Sequence, residues 1–453
     1  MSGDDTQSSQ SDLVKWGIED KPEWEKAIPL GVQHLLAMFL STVALPLVIA
    51  GAIGLSPGET AFIVQMALLV AGLATIVQVY SIGPVGARLP IVMGTSAIFV
   101  APLIDIGVEM GIAAVFGAVI LASPVEIIIG GSYDYIKRAF PPLVTGIVVM
   151  LVGLTLIPVA MDFAAGGPGA DDYGSLTNLG LAGLVFLIAI GLNQYFEGFL
   201  AAASVLIAVV VGYLVAYPLG LLDLAPVADA SLFEVPMPLE FGLEFHPSAI
   251  IVVAFAYVVT AMETIGDIEG TTGSVGRRAT SEEMRGGLLA DGFMSAFAGI
   301  FNAFPNTSFS QNVGLIGFTG VASRFVVGIC GVLLVVLGLL PPIAELIAAM
   351  PDPVLGGAAI VLFGMIFSIG LRLVSQNVDL NRRNLAIIAA SIVAGVGVEV
   401  RPEVVAELPE DIRILAGSGL LVGGVLALIL NLMFPGDGGL IKEAEEPVVE
   451  LDN

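Results

Sequence analysis

Apolar residues in this chain come in long blocks parted by short polar stretches, a pattern that neither alternating strands nor one-sided surface helices produce. Windows of about 19 residues predict helices near 27–52, 60–80, 110–131, 141–162, 177–193, 198–221, 247–268, 286–302, 321–347, 353–371, 382–398 and 413–434. Two further blocks, 89–106 and 304–320, are also apolar but shorter, and Pro, Gly, Thr and Ser interrupt them. Counted as broken spans, they bring twelve helices to fourteen crossings, seven in each half of the chain.

Composition makes lipid the solvent for these blocks. Of 453 residues, 57% are hydrophobic and only 13% charged, and mean hydropathy is +0.97. Soluble domains carry about 25% charged residues, so so few charges cannot cover a water-facing surface of this size. The expected fold is an all-α polytopic membrane protein.

Loop charges set an orientation. With the N-terminus placed in the cytoplasm, all of the 16 Lys and Arg residues except Arg401 and Arg413 fall at cytoplasmic ends, including Arg88, Lys137, Arg138, Arg277, Arg278, Arg285, Arg324, Arg372 and Lys442. Cytoplasmic loops are the ones that collect such residues. Outer loops carry acid instead, as at Asp162, Asp171 and Asp172, and again at Asp223, Asp229, Glu234, Glu240 and Glu244. The net charge of −25 excludes a nucleic-acid partner, which needs a basic face. Acidic loops and tails fit a protein working in high salt, where carboxylates keep the surface hydrated and ions screen their repulsion. The first 26 residues are polar and acidic, so no cleavable leader is expected. One cysteine, Cys330, sits in an apolar run, and two histidines, His34 and His246, show no ligand spacing. No cofactor or metal site is expected.

Seven crossings per half require the second half to insert upside down relative to the first, the inverted-repeat plan of secondary transporters. A weak echo joins the halves at the third span of each. Leu89-Pro90 is followed by Gly94-Thr95-Ser96, and Phe304-Pro305 by Asn306-Thr307-Ser308. Paired short, Pro- and Gly-broken segments point to a binding site near the membrane midplane; the plainer alternative is two surface loops. Half-helices beginning near Thr95–Ser96 and Thr307–Ser308 would aim two positive dipole ends at one cavity. Asn306-Thr307-Ser308 also spells a glycosylation sequon, but at membrane depth it has no such role.

Ionisable side chains within spans are expensive, about 2.5–3.5 kcal/mol each at a helix centre on insertion scales, and mark function by default. The sequence reading identifies His34, Glu263, Asp267 and Asp291, joined by the amides Gln311 and Asn312. Glu263 and Asp267 lie four apart on one helix face, where like charges repel, so the pair suits proton exchange. The alternative is an interfacial pairing with Arg277 or Arg278. The Gln311 amide offers donors and an acceptor in one plane, the arrangement that reads a base edge, and opposite Glu263 it would frame a flat heterocycle; the alternative is a helix-joining amide. His34 reads as structural support, and Asp291 as a proton relay, a cap for a broken helix or an interfacial carboxylate.

These residues resemble the nucleobase–cation symporter-2 family, also called nucleobase–ascorbate transporters or xanthine/uracil permeases. The resemblance runs through Gly31-Val32-Gln33-His34-Leu35-Leu36, Gly94-Thr95-Ser96, Glu263-Thr264-Ile265-Gly266-Asp267 and Ala290-Asp291-Gly292. It is closest in Phe304-Pro305-Asn306-Thr307-Ser308-Phe309-Ser310-Gln311-Asn312-Val313-Gly314 and Thr319-Gly320-Val321-Ala322-Ser323-Arg324. It implies fourteen spans in two inverted repeats, short strands in spans 3 and 10, a core domain and a gate domain, a homodimer joined through the gates, and elevator movement of the core. It places Glu263 on the base, and Asp267 and Gln311 with the xanthine/urate branch rather than with uracil carriers. Ser96, Ala97, Phe99 and Ser310 complete the implied lining, while Asp267, Asp291, His34 and Asn312 serve coupling or support. The sequence departs from the family at Ala97, where an aromatic residue often stands, with Phe99 two residues on.

The expected division is a cytoplasmic tail (1–26), core (27–139), gate (140–222), an extracellular loop (223–246), core (247–347), gate (348–434) and an acidic cytoplasmic tail (435–453). The function this implies is import of xanthine or urate across the plasma membrane by symport with H+, with Na+ as the other candidate ion. Uracil is the alternative substrate. An anion carrier on a similar scaffold is a further alternative, disfavoured by Glu263 at the site. An intramembrane aspartyl protease, suggested by Gly266-Asp267, fails because Thr264 stands where its motif needs Gly. No enzymatic activity is expected.

Overall fold

Every apolar block forms helix, and the two broken blocks form strand followed by helix. The computed structural model describes residues 15–133, 141–234 and 237–435. Lys137, Arg138 and Lys442, which entered the orientation argument, lie outside the described residues, as do most of both tails. The first half contains α1 (Trp24–Ile53), α2 (Pro57–Tyr80), β1 (Met93–Thr95), a 3-10 turn (Ala97–Phe99), α3 (Val100–Met110), α4 (Ile112–Ala122), α5 (Pro124–Gly131), α6 (Pro142–Thr155), α7 (Ile157–Ala164), α8 (Leu176–Tyr195), α9 (Phe199–Ala202) and α10 (Ser204–Ala216). After the short α11 (Ala225–Asp229) come α12 (Pro247–Ser274), α13 (Ser281–Ile300), β2 (Asn306–Ser308), α14 (Ser310–Thr319), α15 (Arg324–Gly338), α16 (Pro341–Ala348), α17 (Asp352–Asn377), α18 (Arg382–Val400), α19 (Glu410–Gly417) and α20 (Gly419–Met433).

Among the described residues, eight helical segments are long and apolar enough to cross a membrane, and a ninth counts if a bent pair is taken together. That pair, α15 and α16, bends by 82° just before Pro341-Pro342, because proline cannot donate to the helical ladder and clashes with the preceding turn. The block at 321–347, expected as one span, is therefore two helices. Likewise, the block at 413–434 breaks at Ser418, whose hydroxyl accepts from Leu421 N and starts α20.

Helices approach closely where small residues meet. A Cβ built on Gly356 would lie 2.0 Å from the Ala164 backbone, and one on Gly72 2.6 Å from that of Gly331. In lipid, where apolar burial gives little drive, such close packing holds helices together. By contrast α8 and α18 leave apolar side chains such as Leu187 and Val393 exposed, as lipid-facing helices do.

The centre of the molecule is a two-stranded antiparallel sheet. β1 pairs with β2 in the register Met93↔Ser308, Gly94↔Thr307 and Thr95↔Asn306. Ser96 N donates to Pro305 O (2.9 Å) and Phe309 N to Val92 O (3.0 Å), extending the ladder at both ends. Both strands are buried, so their outer edges need partners that water cannot supply. Side chains provide them. The Thr75 hydroxyl on α2 accepts from Met93 N (2.9 Å), and the Ser295 hydroxyl on α13 accepts from Asn306 N and donates to Asn306 O, both at 3.1 Å. Gly94 is required here by space, since a Cβ would fall 2.4 Å from Thr42 Oγ1 and 2.6 Å from the Phe309 ring.

Candidate functional site

The sheet ends against a cavity of about 430 Å³. Its polar lining includes Glu263 and Asp267 from α12, Thr307 from β2, and Ser310 and Gln311 from the first turn of α14. Ala97 closes one side, and α17 faces the acids with Leu362, Met365, Ile366 and Ile369. The lining continues to Ser274 and Gln376, at the C-terminal ends of α12 and α17, with Arg372 beside them. One wall is thus polar and fixed by the sheet; the opposite wall is aliphatic.

Helical spacing sets Glu263 and Asp267 side by side on α12, and their surroundings differ. Asp267 accepts two hydrogen bonds of 2.6 Å, from the Ser308 hydroxyl to one oxygen and from Ser310 to the other. Glu263 has no such bonds to other side chains among those resolved, and it is the acid open to a ligand. Neither acid pairs with arginine, because the Arg277 guanidinium is taken by Glu283 in a two-pronged contact of 2.6 and 2.9 Å. The interfacial alternative for these acids does not hold.

A file of polar groups leads from the cavity into the protein. Beyond Asp267, Ser308 Oγ lies 3.4 Å from Thr264 Oγ1, and the Thr264 hydroxyl donates to Asp291. Asp291 is fully buried on α13, away from the cavity lining. His34 and Asn312 are buried as well: Asn312 Nδ2 donates to His34 O (3.0 Å) and lies 3.1 Å from His34 Nδ1, tying α14 to α1.

Two of the expected lining residues stand elsewhere. Ser96 is buried, its hydroxyl accepting from Ile98 N to start the turn into α3, and Phe99 packs edge-on against Tyr257 with ring centroids 4.7 Å apart. The cavity floor at segment 3 is therefore the small side of Ala97.

Several residues were missed by the sequence reading. Thr264, Ser308, Thr75 and Ser295 are neutral and common in apolar helices, so composition alone does not flag them. Glu126 on α5 is different. It is a carboxyl within an apolar block and is wholly buried, yet it was not among the ionisable residues singled out within the spans. The signal that could have found it is Val125-Glu126-Ile127-Ile128-Ile129, an acid with no basic neighbour inside a continuing apolar run.

A buried strand pair that starts two half-helices beside a cavity lined by acids and an amide is the architecture of a membrane solute carrier, and the fold agrees. The transmembrane domain of a cyanobacterium bicarbonate transporter, BicA, superposes with a TM-score of 0.58 at 13% identity, covering 88% of this chain and 99% of that one. Murine Slc26a9, an anion transporter in the inward-facing state, gives 0.58 at 12% identity, covering 92% and 70%. The chain belongs to the nucleobase–cation symporter-2 family: residues 25–404 match the Xan_ur_permease model, described as a permease family. Among its relatives are a putative purine permease of Clostridium perfringens, 43% identical over 416 residues and 92% of each chain, and the xanthine permease XanP of Escherichia coli K12, 39% identical over 448 residues and 95% and 96% of the two chains. The uric acid permease PucK of Bacillus subtilis is 37% identical, covering 89% and 94%. This protein is accordingly a multi-pass membrane permease of the nucleobase class and not an enzyme.

Proposed function

We propose that this permease imports xanthine or urate by proton symport. The observation that carries the reading is one cavity in which the free carboxylate of Glu263 and the amide of Gln311 converge beside the strand pair. Glu263 would accept ring N–H bonds, Gln311 would bond a neighbouring ring edge in the same plane, and amides at the start of α14 would meet the carbonyls. The aliphatic side chains of α17 suit the face of a flat ring. Relatives named for xanthine and for uric acid support the same substrate class.

The chain is read as fourteen crossings in two inverted repeats, with core and gate domains at the boundaries given above and with both termini in the cytoplasm. The end of the cavity at Arg372 then faces the cytoplasm, an inward-facing state. Elevator movement of the core against α17 would carry the site across the plasma membrane, and a homodimer through the exposed gate helices would brace it. The acidic surface fits a salt-loving cell.

An anion carrier is the second reading, favoured by the named activities of the two solved structures. Two carboxylates at the cavity disfavour a small anion such as bicarbonate, which brings no ring N–H groups to bond them, and this weighs against it. Uptake of radiolabelled xanthine and urate into vesicles under an imposed pH gradient, with unlabelled xanthine, urate, uracil, guanine and bicarbonate as competitors, tests the proposal. Gradient-driven accumulation blocked by xanthine or urate is expected; uracil as the strongest competitor, or uptake that follows Na+ and ignores pH, would overturn the corresponding part.

A further inference from the structure

Behind the base site lies a second acid, Glu126, which the file of hydrogen bonds from the cavity does not use. It stands in the first turn of α5, where α12 and α13 pack against it, and its side chain is 0% exposed. Neither carboxyl oxygen has a hydrogen-bond partner, and Asp291 Oδ1 lacks one too. Gly292 brings the two acids together: a Cβ there would lie 2.9 Å from Ile127 N, so the backbone beside Asp291 touches the backbone beside Glu126.

The groups facing Glu126 are Asp291 on α13, and Glu263, Thr260 and Tyr257 on α12. The Thr260 hydroxyl is directed to Ala256 O and Tyr257 O, and the Tyr257 hydroxyl to Val119 O. No lysine, arginine or histidine acts on Glu126 among the described residues. An anion here, without counter-charge and beside other acids, is strongly disfavoured. The group that relieves these oxygens is therefore one that brings positive charge. A metal ion would need a cage of about six oxygens, and the described residues contain no such acid or histidine cluster.

We propose that Glu126 and Asp291 form the site that takes the coupling proton, connected to the base through Thr264, Ser308 and Asp267. This rests on the symport reading above. A proton reaching the pair forms an O–H bond on one carboxyl and removes its charge, and its departure restores the charge. Proton occupancy at the pair would thus be joined to the cavity by the hydrogen-bonded file that runs from Asp291 to Asp267, one helical turn from the base-binding Glu263.

The test uses the full-length protein in vesicles, comparing wild type, Glu126→Gln and Glu126→Asp. Two quantities are read with radiolabelled xanthine: accumulation driven by an inward proton gradient, and counterflow exchange without a gradient. At one proton per base, a gradient of one pH unit supports about tenfold accumulation. The proposal expects E126Q to lose that accumulation while exchange falls far less, and E126D to keep part of it with a displaced pH profile. Equal gradient-driven accumulation in E126Q and wild type overturns the inference and leaves symport standing. Parallel loss of both quantities overturns it as well, because that is the mark of a packing role. A wild type that ignores the gradient removes the symport reading and this inference with it. If E126Q does not reach the membrane, E126D decides, and an unchanged pH profile there counts against the proposal.

Discussion

Arg413 donates to both carboxylate oxygens of Glu109, at 3.3 and 3.1 Å. The pair joins the far end of α3, which continues β1, to the start of α19, three hundred residues later in the chain. Arg413 is one of the two basic residues that fell on the acidic side of the orientation argument, and here it has a partner that accounts for its place. Both side chains are about one-third exposed, 35% and 31%.

Because of that exposure, the pair is expected to contribute little to stability, about 1 kcal/mol or less, while constraining how α3 and α19 move apart. Arg413→Ala and Glu109→Ala should alter transport rate in the same direction, and the double variant should be no worse than either. Uptake kinetics of the three proteins, with the charge-swapped pair as a fourth, provide the check. Additive losses would mean that the two residues act separately.

Glu263 is the cavity acid without a fixed partner, so its oxygens are available to a ligand. Replacing it with Gln keeps the volume but weakens charge-assisted bonds worth about 1.5–3 kcal/mol. Affinity for xanthine should fall roughly tenfold to a hundredfold, with the unliganded melting temperature unchanged or raised as the repulsion from Asp267 is relieved. Ligand-induced thermal shifts on purified protein measure both.

Asn312 bridges α14 to α1 through two contacts on His34, and both side chains are buried. Asn312→Leu removes the donor, leaves His34 O without its partner, and should cost about 1–3 kcal/mol. Detergent thermal melts would register the loss. The order of preference among competing bases should not change, since Asn312 is outside the cavity lining.

The Thr280–Glu283 cap offers a titration at the end of α13, outside the apolar block. Burial pushes the Glu283 carboxyl up, but hydrogen bonds from Arg277 and from the backbone and hydroxyl of Thr280 outweigh it and hold the carboxyl below its ordinary value. A carboxyl lowered in the folded state stabilises above its unfolded value of 4.5, and the benefit disappears as pH falls through the lower folded value. Glu283→Gln should therefore melt below wild type at pH 7, and the gap should close as the pH is taken below 4. A gap that stays constant across that range would mean the carboxylate charge is irrelevant.

Much of this protein was legible along the chain because lipid imposes a simple rule. Every backbone polar group must be satisfied within the protein, so long apolar blocks form helices, and the blocks broken at Leu89-Pro90 and Phe304-Pro305 stand out by their Pro, Gly and hydroxyl residues. Glu263, Asp267 and Gln311 could be singled out because charge and amides are rare at that depth, and two of them share a helix face by spacing alone. The pairing of β1 with β2 was different. The echo between the halves and a resemblance suggested it, but its register, and the capping of its edges by Thr75 and Ser295, depend on which helices lie alongside.

The same division separates the individual residues. Sequence fixed the kinds of group available, since composition and periodicity act locally. Tertiary structure decided which of them meet: Phe99 turns to Tyr257 and not to the cavity, Arg413 finds Glu109, and Gly292 lets Glu126 stand beside Asp291. The meeting of the segments around residues 126 and 291 depends on the close approach of two helix backbones, and no local pattern along either segment encodes that approach.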